Sequence, residues 1–234
     1  MRSDELLAQL LALTGGGDAE SIALRTLSLH MLGGHAPRFF ARHGLDRELR
    51  AALERCREVS YGFDEPGRTE DRLQAGLDAW LCRALHGLPH PPPDRAALRD
   101  ALAWLADESP IYAWLLGELA ARLGVDERVP FASERPFAHV SRLVDAYFLT
   151  HLVLLDTDYL ARPASHPQAA RWADELEQLV PWLAQEPNAD LAGEVAFSLH
   201  SLGRDPSAAR ALFATETSDD PHTVATMLLG LVGE

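Results

Sequence analysis

Apolar residues recur three and four positions apart along almost the whole of this 234-residue chain, and no run of β-branched residues alternates with polar ones. A 3.6-residue period lines one face of a helix, whereas a half-buried strand needs a period of two. The pattern therefore predicts an all-α fold. Start and stop signals divide it. Gly15, Gly16 and Gly17 end a first helix, Asp18 caps a second, and Gly33 with Gly34 stops it. The tract Pro89, His90, Pro91, Pro92, Pro93 breaks a fourth by removing donors and fixing φ. These signals place about eleven helices, at residues 3–14, 19–32, 45–60, 69–88, 94–106, 111–123, 137–155, 168–185, 188–202, 206–213 and 221–231. Residues 125–136, with Pro130 and Pro136 but no helical period, read as a connecting loop. That loop is a sub-boundary inside a single all-helical domain spanning 1–234.

Four of the helices carry a histidine in similar surroundings: Leu29-His30-Met31-Leu32-Gly33, Leu85-His86-Gly87-Leu88, Thr150-His151-Leu152-Val153 and Leu199-His200-Ser201-Leu202-Gly203. In three of them a proline follows, at Pro37, Pro89 and Pro206, and a new helix begins. The spacing is about one helical hairpin, which predicts an irregular helical-hairpin repeat, a short α-solenoid or partial α/α toroid. An irregular helical bundle is the alternative. His30, His86 and His200 read as C-terminal caps, where a cationic ring meets the negative end of the helix dipole.

Composition removes several classes of function. Thirty-five Asp and Glu against 21 basic residues give a net charge of -14, which argues against a binder of the nucleic-acid backbone. Every basic residue is arginine. Without lysine there is no Walker A loop, no pyridoxal Schiff base and no lysine nucleophile. GxGxxG, HExxH, GxSxG, paired CxxC and DDxxD strings are also missing, so no nucleotide or pyridoxal cofactor is implied, and a divalent metal stays open. Cys56 and Cys82 lack metal or redox spacing and read as buried thiols of a reducing compartment. The first residues, with Asp4, Glu5 and Gln9 around a short apolar run, form an amphipathic helix and not a signal peptide. No window reaches the roughly 18 apolar residues of a membrane span. The expectation is a cytoplasmic chain with no membrane partner, and nothing in the composition sets its oligomeric state. Arginine without lysine, with abundant Ala and Leu, points to a GC-rich bacterial genome.

The helix at 137–155 has the fewest charges of any segment this long, and His151 lies inside it. At 100° per residue, Tyr147, His151 and Asp158 share one face if the helix continues that far, and Asp145 and Asp156 share another. An ionisable group in a buried helix costs several kcal/mol unless it is paired. His151 therefore needs a polar partner: a structural carboxylate, a metal or a substrate. The candidate chemistry is acid/base, with His151 as base or acid and Tyr147 or Asp158 as orienter, or metal-assisted, with His151, Asp156 and Asp158 as the ligand candidates. Thr150 and Arg142 are the candidate substrate contacts. The structural account of the same residues is that the aspartates cap the following turn and His151 makes one buried hydrogen bond.

The string Thr150-His151-Leu152-Val153-Leu154-Leu155-Asp156-Thr157-Asp158-Tyr159-Leu160 resembles the Thr-His, short apolar spacer, Thr-Asp-aromatic string of an uncharacterised family of helical actinobacterial proteins. Where that family tends to have phenylalanine and then glycine, this chain has Tyr159 and Leu160. The resemblance brings no activity with it. It marks Thr150, His151, Thr157 and Asp158 as residues of interest. The function expected from the sequence is a small-molecule-binding helical protein, an accessory enzyme of bacterial specialised metabolism, with its pocket around His151. The alternative is a helical-repeat module that offers an acidic surface to a partner protein, without catalysis.

Overall fold

The structure, a computed structural model, describes residues 2–60, 69–91, 94–122 and 141–233. Among them are twelve α-helices and no strand. In chain order these are α1 (Arg2–Leu13), α2 (Ala19–His35), α3 (Pro37–Arg42), α4 (Asp46–Cys56), α5 (Glu70–Leu85), α6 (Arg95–Glu108), α7 (Pro110–Arg122), α8 (Arg142–Asp156), α9 (Ala169–Leu183), α10 (Ala189–Ser201), α11 (Ser207–Phe213) and α12 (Pro221–Val232). The all-α class follows the apolar period. The connecting loop expected at 125–136 lies outside the described residues, as does the start of the helix expected from 137.

Local chemistry explains most of the starts. Thr69, Asp94, Ser141, Asn188 and Asp220 each accept a hydrogen bond from a backbone N–H in the first turn of the helix that follows. Each satisfies a donor that the helix itself leaves orphaned. Pro221 follows Asp220 at the first helical position, where its missing N–H costs nothing.

The stop expected at Gly33 and Gly34 does not occur, and α2 runs on to His35. The reason is a close approach: a Cβ on Gly34 would lie 2.6 Å from the Ala161 Cα and closer still to the Leu160 carbonyl. The glycine is there for space and not for a turn. Pro37 then opens α3, a short helix that the expected set left out although the proline marks its start, and that buries Phe39 and Phe40. Because α2 continues, His30 sits more than a turn before its end and meets the Asp158 carbonyl at 3.2 Å through Nε2. His86 is the residue capping α5, and His200 lies in the last turn of α10, as expected.

The chain divides into two compact units, one made of Met1–Gly15, Ser28–Leu49 and Phe137–Glu234, the other of Gly16–Leu27 and Arg50–Pro136. The divisions fall inside α2 and α4. In the second unit α6 and α7 pack as a hairpin beside α5. The buried Arg83 of α5 donates from Nε (2.9 Å) and Nη2 (2.7 Å) to the Cys56 carbonyl, and from Nη2 to that of Val59. It thereby closes the C-terminal end of α4. Cys56 and Cys82 are free and buried, as the sequence implies.

In the first unit the helix at the centre is α10, not the long apolar α8. It packs against α8, α9, α11 and α12, and every residue from Leu191 to Leu199 is buried. Small residues make this crowding feasible. A Cβ on Gly193 would lie 2.6 Å from the Thr226 carbonyl carbon of α12, and one on Gly230 would lie 3.0 Å from the Gly193 carbonyl oxygen. α8 is buried over most of its length but leaves its first turn outside, where Leu143 is exposed. Alternate helices run parallel. His222 meets Asp190 near the starts of α12 and α10, and Gly233, just past α12, lies against the ring of His200 near the end of α10. Likewise Tyr147 meets Asp190 and, one turn further along both α8 and α10, His151 approaches Glu194. α8 to α12 thus stack as consecutive helical hairpins, an arrangement that helical repeats and irregular bundles share.

Candidate functional site

Asp190 is the second residue of α10 and Glu194 lies one turn on, so both carboxyls leave the same face. His222 is the second residue of α12, with Thr226 one turn on. Tyr147, Thr150 and His151 occupy one side of α8. The close approach at Gly193 brings these three faces together.

Asp190 is the hub. Its Oδ2 accepts from the Tyr147 hydroxyl at 2.7 Å, and its Oδ1 accepts from Thr226 at 2.8 Å and from Nδ1 of His222 at 3.0 Å. Asn188 donates to the Tyr147 oxygen at 3.4 Å while its own carbonyl caps α10. Burial pushes the Asp190 carboxyl up, but His222 and the two hydroxyls outweigh it and hold the pKa at about 2. Its place in the first turn of α10 also favours a negative charge. The Tyr147 hydroxyl moves well upward, through burial and then through the charges of Asp190 and Glu194.

Glu194 is different. Its side chain is only 4% exposed, and burial, followed by the Asp190 charge, raises its pKa to about 8. The hydrogen bonds agree. The Thr150 hydroxyl lies 2.8 Å from the Tyr147 carbonyl and also contacts Glu194 Oε2. Thr150 has one proton and the carbonyl can only accept, so both bonds are satisfied at once when Glu194 is protonated and donates. Its Oε1 carries no hydrogen bond among the described residues. His151 donates Nδ1–H to the Tyr147 carbonyl at 2.7 Å and lies 3.8 Å from Glu194; burial lowers its pKa to about 4. Among the described residues, no arginine pairs with Asp190 or Glu194.

Of the residues singled out from sequence, the structure gathers Tyr147, Thr150 and His151 here. Asp158 is not among them. α8 ends at Asp156, and Asp158, Tyr159 and Leu160 then turn the chain with φ of 48°, 56° and 67°. The Asp158 carboxylate goes to Arg162 at 2.6 Å. Asp156 is buried but serves its own loop, accepting from the backbone N–H groups of Ser165 (2.7 Å) and His166 (3.0 Å). Neither aspartate joins His151 as a metal ligand. Arg142 stands over the Trp182 ring, 4.9 Å from its centroid. Thr157 bonds back to the Val153 carbonyl at 2.8 Å and accepts from Leu160 N–H at 3.0 Å, so the Thr-Asp-aromatic half of the string builds a turn.

Asp190, Glu194, His222 and Thr226 have no counterpart among the sequence candidates. One signal existed for the first pair: two carboxyls one turn apart in an otherwise apolar helix carry the same desolvation cost as His151. His222 ends a tract, Ser218 to His222, that reads simply as a helix cap.

Comparison with family models finds one match, described as Domain of unknown function (DUF6895), over residues 2–220. The chain belongs to that family. The matched stretch contains all the site residues of α8 and α10 and ends just before α12, which carries His222 and Thr226. Comparison with the curated proteins and with the solved structures finds no match. Among the described residues, no helix is long and apolar enough to cross a membrane.

Proposed function

We propose that the protein binds a small molecule where α8, α10 and α12 meet and acts on it as an enzyme, with the Asp190–His222 pair moving the proton. The observation that carries this reading is the graded burial of the pair. The His222 side chain is 38% exposed, whereas Asp190, which receives its Nδ1–H, is 17% exposed and Glu194 behind it 4%. A carboxylate on Nδ1 fixes the imidazole tautomer and puts the basic lone pair on Nε2, the arrangement general-base histidines use. Tyr147 and His151 supply neutral hydrogen-bonding groups beside it, on helices whose other buried positions are mostly apolar. The two free thiols suit a cytoplasmic location for such an enzyme.

The test is a thermal-shift screen of metabolite mixtures in the presence of a chelator. A genuine ligand raises the melting temperature of the unmodified chain and of Asp158→Asn, and fails to do so for His222→Gln and Tyr147→Phe. Hits that stabilise all four proteins alike would place binding elsewhere and reject the site.

A further inference from the structure

Asp190, Glu194 and His222 have a property beyond their hydrogen bonds: one ligand atom from each lies within 4.8 Å of the other two. A first-row divalent ion bound at about 2.0 to 2.2 Å to nitrogen and oxygen needs ligand atoms roughly 3 to 4 Å apart. The Asp190 Oδ1 to His222 Nδ1 separation, 3.0 Å, is already of that order. A second observation points to a cation independently. Glu194 is almost wholly enclosed, one of its oxygens carries no hydrogen bond among the described residues, and it lies one turn from a second carboxylate. A chain with 21 arginines has placed none of them against this pair, among the residues described. Two carboxyls one turn apart and facing an imidazole, with no arginine between them, can hold a cation once Glu194 gives up its proton.

We infer that Asp190, Glu194 and His222 bind one divalent transition-metal ion, of the zinc or manganese class. The donor set selects it. An imidazole nitrogen disfavours calcium and magnesium, which take all-oxygen shells, and the lack of thiolate or thioether disfavours cuprous ion. Two helices supply the three ligands, Asp190 and Glu194 from α10 and His222 from α12. Tyr147 and Thr226 hold the Asp190 carboxylate in place, as outer hydrogen bonds do around metal ligands. Three protein ligands leave a coordination position for water or substrate, the mark of a catalytic site as opposed to a structural one. The inference deepens the small-molecule reading and rests on its location: with the ion on Nδ1, His222 gives up its hydrogen bond to Asp190, and the proton-moving role passes to water in the open position, on the side of His222, the most exposed ligand.

The experiment is calorimetric titration of the full, chelator-stripped chain with zinc, manganese, magnesium and calcium chlorides. Zinc should bind one per chain with a dissociation constant on the order of a micromolar or tighter, and magnesium and calcium far more weakly. His222→Gln and Glu194→Gln should weaken zinc by at least about a hundredfold, and Tyr147→Phe by roughly ten- to hundredfold. Asp158→Asn should leave it unchanged. Glu194→Gln keeps a donor for Thr150 and should fold. If either ligand variant does not fold, imidazole nitrogen resonances of the unmodified chain decide: zinc must move His222 before any other histidine. No saturable zinc binding, binding indifferent to both ligand variants, or a first response at another histidine overturns the inference. The small-molecule screen is run in chelator, so it can succeed while the metal fails, and zinc can bind while no small molecule does.

Discussion

Gly193 of α10 faces Thr226 of α12 with no room for a side chain, since a Cβ on the glycine would lie 2.6 Å from the Thr226 carbonyl carbon and 2.9 Å from the Met227 nitrogen. Both contacts are backbone, which cannot step aside as a flexible side chain can. Gly193→Ala should therefore force α12 outward, at a cost of about 1 to 3 kcal/mol, despite alanine's better helix propensity. The same shift draws His222 and Thr226 away from Asp190. Urea denaturation gives the stability change, and a stability equal to that of the parent would show that the two helices are not in backbone contact.

Thr150 is the only hydrogen-bond partner of Glu194 among the described residues, so its loss should be felt through the carboxyl. Thr150→Val keeps the shape and should cost about 1 to 3 kcal/mol, the penalty for a buried group left without its bond. Adding Glu194→Leu removes that unpaired group. The double variant should then lose less than the sum of the two single losses, and strict additivity would mean that Thr150 and Glu194 do not interact.

His35 gives the fold a dependence on pH. Burial lowers its pKa from the ordinary 6.5 to about 4, with His200 adding to the effect and Arg210 contributing; the Leu229 carbonyl opposes them. Its ring meets His200 edge-on at 5.0 Å and Phe197 at 6.4 Å. The folded state resists protonation, while the unfolded chain takes up the proton below about pH 6.5. Stability is thus full above that pH, falls as the pH drops toward about 4, and levels off below. Two and a half pKa units correspond to about 3 kcal/mol. Comparing denaturation at roughly pH 7 and pH 4, His35→Phe should lose about 3 kcal/mol less than the unmodified chain. Equal losses would mean that the ring is hydrated or already charged.

Arg83 makes the end of α4 tolerable in a buried setting, because one guanidinium satisfies carbonyls that no helix residue can reach. Arg83→Met retains the apolar stem and should destabilise by about 1 to 3 kcal/mol, as the Val59 carbonyl loses its side-chain donor and that of Cys56 keeps only the 3.3 Å bond from Val59 N–H. Arg83→Lys should recover only part of this, since a single ammonium lacks the planar fork. Full recovery with lysine, read from melting curves, would rule out the fork geometry as the cause.

The sequence displays what is local and hides what is assembled. Caps at Thr69, Asp94, Asn188 and Asp220 are visible because a helix start depends on a few neighbouring residues. Gly34 was open to misreading because the same residue type ends a helix or admits another backbone, and only the distant Leu160 and Ala161 decide which. Asp158 follows a similar logic: three residues with side chains adopt the left-handed region, so no glycine announces where α8 stops. Tyr147, Thr150 and His151 could be found because they are polar on an apolar helix. Their partners Asp190, Glu194 and His222 arrive from 39 to 75 residues away in the chain, through a helix register that no single helix face encodes.

The parallel course of α8, α10 and α12 divides labour along the chain. Every group of the site sits on an alternate helix, and α9 and α11 only carry the chain back to the starting end. Residues added to the turns around α9 or α11 leave those groups in register, whereas one residue inserted within α10 rotates Asp190 against Glu194 by about 100°. Homologues can therefore be expected to differ in length at the returns and to keep the site-bearing helices whole.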